Sequence, residues 1–326
     1  MTLVRLIETF DSAHRSLVVV NRTEPDPIRN MLADTFGEGS VEIFDREIGG
    51  GNDDGDRGED GDSGDRSNRD EEGGDAPDDR EWHETVQTLL GDGGADLDVD
   101  ALAKRAASGD DAESVSNLVL LVEDGELVAS SSLEALVQAI LLLNSDLYIT
   151  GARELSEVDL PAVLTGLSET VFTLRGYPES NRQKLLLITI SRFIERAASE
   201  AGGGTLRSSF QRLSRLEDEV GTRDVYEEVV ERGVDTHVYG VPDSVPENLG
   251  ATVHGGRTRN YTDTWFVVFR PDGGAEHVSA DTNLQRASEG GIALLAVEVD
   301  DRLWKGVWTY DTERVERIAR TIRQDL

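Results

Sequence analysis

The chain has 326 residues, enough for one large or two ordinary domains, and its 65 Asp and Glu against 32 Lys and Arg leave a net charge of −33. No basic stripe interrupts that excess of acid, which excludes DNA and RNA as direct partners; the absence of cysteine excludes disulfide scaffolds, thiolate zinc sites and cysteine nucleophiles. The lysines are Lys104, Lys184 and Lys305 alone, and acid spread over the whole chain fits a halophilic cell, where molar salt shortens the Debye length to about 3 Å and screens self-repulsion.

Leu3, Leu6, Ile7 and Phe10 recur at helical spacing, so residues 3–13 read as a short amphipathic helix. Nothing there has the basic start and apolar core of a signal peptide. Ser16–Asn21 reads as a buried strand. Pro27 suits a first helical turn, and Ile28, Met31, Leu32 and Phe36 share one face of a helix over 25–36, ended by Gly37 and Gly39. Val41–Phe44 is a second strand. Residues 49–80 hold no large apolar side chain and nothing to offset the entropy of ordering, so they are expected to form a disordered acidic insert. No frame in it has both the Gly and the Glu of a calcium loop. A short helix over Val99–Ala107, a hairpin of Asn117–Glu123 and Glu126–Ala129 about Asp124 and Gly125, and a helix over Ser132–Leu142 complete an N-terminal α/β unit, residues 1–145. Its most apolar run, Leu133–Leu143, is too short to span a bilayer. The chain is expected to be cytoplasmic, with no membrane partner.

Residues 146–326 form the second part. Leu160–Leu167 and Val171–Leu174 are short elements. Asn181–Ala201 is the longest helix, with Leu186, Ile190, Phe193, Ile194, Ala197 and Ala201 on one face and Gly202–Gly204 as its stop. A helix over Asp224–Arg232 follows. Then come four strands, Thr236–Val241, Trp265–Arg270, Ile292–Val299 and Lys305–Tyr310, and a closing helix, Glu313–Arg323, with Trp308 packed beneath it and Trp304 partly exposed. The fold class is α/β (α+β): an N-terminal α/β unit carrying the insert, followed by a mostly antiparallel sheet packed by helices.

Catalytic patterns are missing. The sequence holds no phosphate-cradling GxxxxGK[ST], no HExxH, no GxSxG and no dinucleotide fingerprint after a strand. The five histidines are scattered without metal-ligand spacing, so no metal, cofactor or catalytic centre is expected. His237, beside Tyr239 in a strand, reads as packed.

One ordered set of motifs is more informative. Ser191-Arg192-Phe193-Ile194-Glu195-Arg196-Ala197-Ala198 runs into a glycine turn and then Ser209-Phe210-Gln211-Arg212-Leu213-Ser214. A helix with Tyr226 comes next, then His237-Val238-Tyr239-Gly240-Val241-Pro242-Asp243, and finally Gly306-Val307-Trp308-Thr309-Tyr310-Asp311. This set, spread over about residues 145–325, resembles the DICT sensory domain family, here in a stand-alone, halophile-type form. The resemblance implies a non-catalytic signal-input module that passes a ligand or partner signal to a separate output signalling protein. The alternative is a ligand-free interaction scaffold. Arg192, Glu195, Phe210 and Gln211 are the candidate ligand-binding residues: Arg192 and Glu195, three apart, share a helix surface, with Arg192 as anion anchor and Gln211 fixing orientation. The competing and simpler reading of the same four residues is an ion pair, a core phenylalanine and a backbone cap. A cavity at these residues would favour the sensor, and a broad flat apolar patch the scaffold.

Overall fold

In the computed structural model the described residues are 3–10, 15–20, 22, 27–36, 41–46, 117–124, 126–142, 155–175, 183–218, 220–244, 246–272 and 281–326. The expected insert at 49–80 and the helix over Val99–Ala107 lie outside them. Within them the chain is a mixed α/β structure with two mixed sheets packed by helices.

The first sheet has the order β2-β1-β3-β4, from Arg15–Val20 (β1), Val41–Arg46 (β2), Leu118–Glu123 (β3) and Glu126–Ser132 (β4). Strands β1 and β2 are parallel because helix α2 (Pro27–Phe36) carries the chain back between them, whereas β3 pairs antiparallel with both β1 and β4. The hydroxyl of Ser132 accepts from the Ala135 backbone N–H and caps α3 (Leu133–Val137), which runs on as a π-helical turn, Gln138–Leu142. Helix α1 (Leu3–Ile7) does not join this sheet. Its Leu3, Leu6 and Ile7 pack with the far side of the second one.

The second sheet has the order β5-β11-β10-β9-β6-β7-β8. Its strands are Phe172–Arg175 (β5), Thr205–Arg212 (β6), Asp235–Val241 (β7), Thr252–Gly255 (β8), Thr264–Arg270 (β9), Ile292–Asp300 (β10) and Leu303–Thr309 (β11). Its pairs are antiparallel from β5 through β6, and parallel where β6, β7 and β8 follow one another. The expected strands are all present, together with β6 and β8.

Helix α4 (Ala162–Gly166) lies on β4. On one face of the large sheet lie α5 (Gln183–Ala201), the single-turn α6 (Arg215–Asp218), α7 (Val220–Glu231) and α9 (Thr282–Gly290). On the other lie α1, the short α8 (Arg259–Thr262) and the closing helix α10 (Thr312–Asp325), which buries Val315, Ile318, Ala319 and Ile322. The Asp311 carboxylate caps α10 by accepting from the Arg314 backbone N–H at 2.8 Å.

One hydrophobic core runs from the small sheet into the large one. Its joint is aromatic: Phe36 of α2 stands edge-on to Phe172 of β5 and to Trp308 of β11, with ring centroids 6.1 and 6.2 Å away. Trp308 therefore faces this joint, on the side of the sheet away from α10, which corrects the placement expected from sequence. Trp304 is buried rather than partly exposed. Gly306 makes the joint possible, because a β-carbon there would come within 2.2 Å of the Phe172 ring. A polar clamp reinforces it. Arg15 of β1 donates to the carbonyls of Gly166 and Ser168 and to the Thr170 hydroxyl, and Glu169 in that turn pairs with Arg314 of α10.

Candidate functional site

Helix α5 is the centre of the site. Its apolar stripe (Leu186, Leu187, Ile190, Phe193, Ile194, Ala197) is buried, and so are Thr189, Ser191, Arg192, Glu195 and Ser199 on its other side. The helix is thus enclosed nearly all round, and its polar residues must find partners inside the protein. Gly202, at φ +63°, ends it, and the Gly202 N–H returns to the Ala198 carbonyl.

Arg192 and Glu195 form a buried ion pair. Arg192 Nη1 donates to Glu195 Oε2 at 2.5 Å, and Nη2 donates to the Thr222 hydroxyl of α7 at 2.7 Å. The other carboxylate oxygen, Oε1, accepts from the Tyr226 hydroxyl at 2.8 Å. Burial first, and the Glu195 charge second, push the Tyr226 phenol well above its ordinary titration range, so it remains a protonated donor. The charges of Arg192 and Glu195 neutralise each other, and Thr222 and Tyr226 add hydrogen bonds to them, which is how a buried pair is tolerated.

Beside this group lies a small pocket of about 50 Å3, open to solvent at its mouth. Ile188 and Val267 supply apolar walls, and Phe210, Tyr226 and Trp265 supply aromatic ones. Phe210 stands edge-on to Tyr226 at 5.1 Å. The Trp265 indole N–H donates to the Ser191 hydroxyl at 3.1 Å, which fixes its ring plane. Phe210 arrives through a β-bulge: the register of β6 against β7 slips between Ser209 and Arg212, and Gln211 takes φ +58°.

Of the four residues singled out from sequence, Arg192, Glu195 and Phe210 line this pocket together. Gln211 sits one step behind. Its side-chain oxygen accepts from Arg215 at 2.8 Å, and Arg215 is the lining residue at the rim. Sequence reasoning missed Thr222 and Tyr226 as partners of the ion pair and Trp265 as a wall of the pocket. Comparison of the chain with family models, with curated proteins and with solved structures finds no match.

Proposed function

We propose that the protein is a signal-input module of DICT-like type, which takes a small molecule into the pocket between α5, β6, α7 and β9 and reports its presence to a separate output protein in the cytoplasm. The observation that carries this reading is the pocket itself: aromatic faces above an ion-paired polar floor. The ordered motif resemblance across residues 145–325 supports the same class.

A binding role is favoured over a catalytic one because both Glu195 oxygens are already engaged, by Arg192 and by Tyr226, leaving no lone carboxylate poised for proton transfer. A scaffold with a flat apolar docking face is less well supported: Val128 and Val299 are the exposed large hydrophobics among the described residues. Occupancy has a route outward. The rim carries α6 and α7: Ser214, just before α6, bonds Asp243, and Arg223 of α7 donates to the Glu247 carbonyl. A ligand that moves the rim moves the exposed Asp243 and Glu247, which an output partner would read.

The test is a thermal-shift screen of small molecules in molar KCl, run in parallel on the parent and on Ile188→Trp, which fills the pocket from α5. Compounds that raise the melting temperature of the parent and not of the variant are expected. Stabilisation that persists equally in the filled variant would overturn the reading.

A further inference from the structure

The mouth of the α5 pocket differs in chemistry from its floor. Of the residues lining the pocket, Phe210, Arg215 and Trp265 are half-buried and the others are buried. An incoming molecule therefore meets two aromatic rings and a guanidinium first, and all three are held in place. The Trp265 indole N–H donates to the Ser191 hydroxyl at 3.1 Å, Phe210 stands edge-on to Tyr226, and Arg215 Nη1 donates to Gln211 Oε1 at 2.8 Å. Gln211 follows Phe210 in the bulge of β6, so this last bond couples the aromatic wall to the rim cation. Three lining residues are charged. Arg192 and Glu195 cancel as a buried pair, and Arg215 leaves the lining with a net charge of +1, in a chain whose total is −33.

Size limits how a ligand can sit. The space is about 50 Å3, whereas a cavity that encloses a benzene ring measures about 150 Å3. One end of a molecule enters and the rest lies across the open mouth. The inner end meets Ile188, Val267 and the Tyr226 ring, which suits an apolar group. The outer end meets Arg215, which suits an anion, because a guanidinium binds carboxylate and phosphate through charge-assisted hydrogen bonds. Phe210 and Trp265 flank the passage between the two, and ring-to-ring contact there gains more than the apolar area it buries. We propose that the pocket takes a small planar aromatic anion, its ring edge inserted against Phe210 and Trp265 and its acidic group on Arg215 at the rim; this rests on the pocket being the ligand site. The local positive charge selects against cations, which the acidic surface elsewhere attracts. It also gives occupancy a handle on the reporting segment: an anion on Arg215 acts directly on α6, next to Ser214 and its bonds to Asp243.

The experiment titrates benzoate and phenyl phosphate into the protein in molar KCl, beside benzamide, benzylammonium and cyclohexanecarboxylate. It follows the Trp265 indole N–H resonance, assigned by its loss in Trp265→Phe. A saturable shift is expected with benzoate or phenyl phosphate, at a midpoint roughly tenfold or more below those of the other three; the tighter of the two identifies the acidic group. Arg215→Gln should raise that midpoint roughly tenfold and leave the benzamide midpoint unchanged, and Arg215→Lys should restore part of the difference, whereas a merely structural Arg215 would move both probes alike. If benzylammonium or cyclohexanecarboxylate binds as tightly as the aromatic anions, or if no probe shifts the resonance, the assigned class is wrong, and the pocket reading is left to its own screen. If the aromatic anions bind with the same midpoints in Ile188→Trp, the pocket is not their site and the functional reading falls with the class.

Discussion

Arg192 was attractive from sequence as an anion anchor, but its guanidinium is already committed to Glu195 and Thr222. Through these two partners it organises the floor of the pocket it lines. Arg192→Met would strand the Glu195 charge in the interior and cost about 3–5 kcal/mol, measured by urea unfolding, whereas Arg192→Met combined with Glu195→Met should recover most of the loss. A single-variant cost below about 1 kcal/mol would place the pair in solvent instead. The i,i+3 spacing of Arg192 and Glu195 was legible in the sequence. Their partners were not, since Thr222 and Tyr226 come from a helix some thirty residues on and only packing brings them near. His254 gives a second test at this scale. Burial first, then His237 and Arg207, hold its ring below the ordinary value of 6.5. Near pH 6.5 the unfolded chain takes up a proton that the folded ring still refuses, so this contribution to stability is intact above pH 6.5 and is lost as pH falls through the folded value. His254→Phe preserves the stack on Tyr239 and should flatten the acid limb of the melting temperature between pH 7 and 5. An unchanged limb would show that other groups set it.

Helices and strands with strong apolar periodicity were legible: α2, α5, α10 and strands β7, β9, β10 and β11 fall near their expected positions. Strand β8 was not, because Thr-Val-His-Gly at a sheet edge carries no core pattern and is defined by its parallel pairing with β7. Strand β6 was hidden for a similar reason, since its Arg207, Ser208 and Ser209 are buried polar residues that break the usual pattern. The joint between the sheets was also invisible, because Phe36, Phe172 and Trp308 are far apart in sequence. Phe36→Ala should remove this edge-to-face contact and leave a cavity, costing about 3–5 kcal/mol by chemical denaturation. The near-UV circular dichroism of the buried Trp308 should weaken with it. A loss under about 1 kcal/mol would mean that the two sheets do not depend on this contact.

The strands of the smaller sheet fall within residues 1–145 and those of the larger within 146–326, but one core runs through both sheets and α1 packs on the larger one. A net charge of −33 acts on all of it at once. Raising KCl from about 0.1 to 1 M shortens the Debye length from about 10 to 3 Å, so the melting temperature should climb steeply over that range and the unfolding transition should stay single. A protein most stable in low salt would refute the halophilic reading of its composition. The central claim, that the space beside α5 is built to hold a small molecule, is tested most directly by denaturing protein purified in molar KCl and identifying what it releases by mass spectrometry, for the parent and for Ile188→Trp side by side. A compound released near one per chain from the parent and missing from the variant is the predicted result. Identical extracts from the two proteins would contradict the claim.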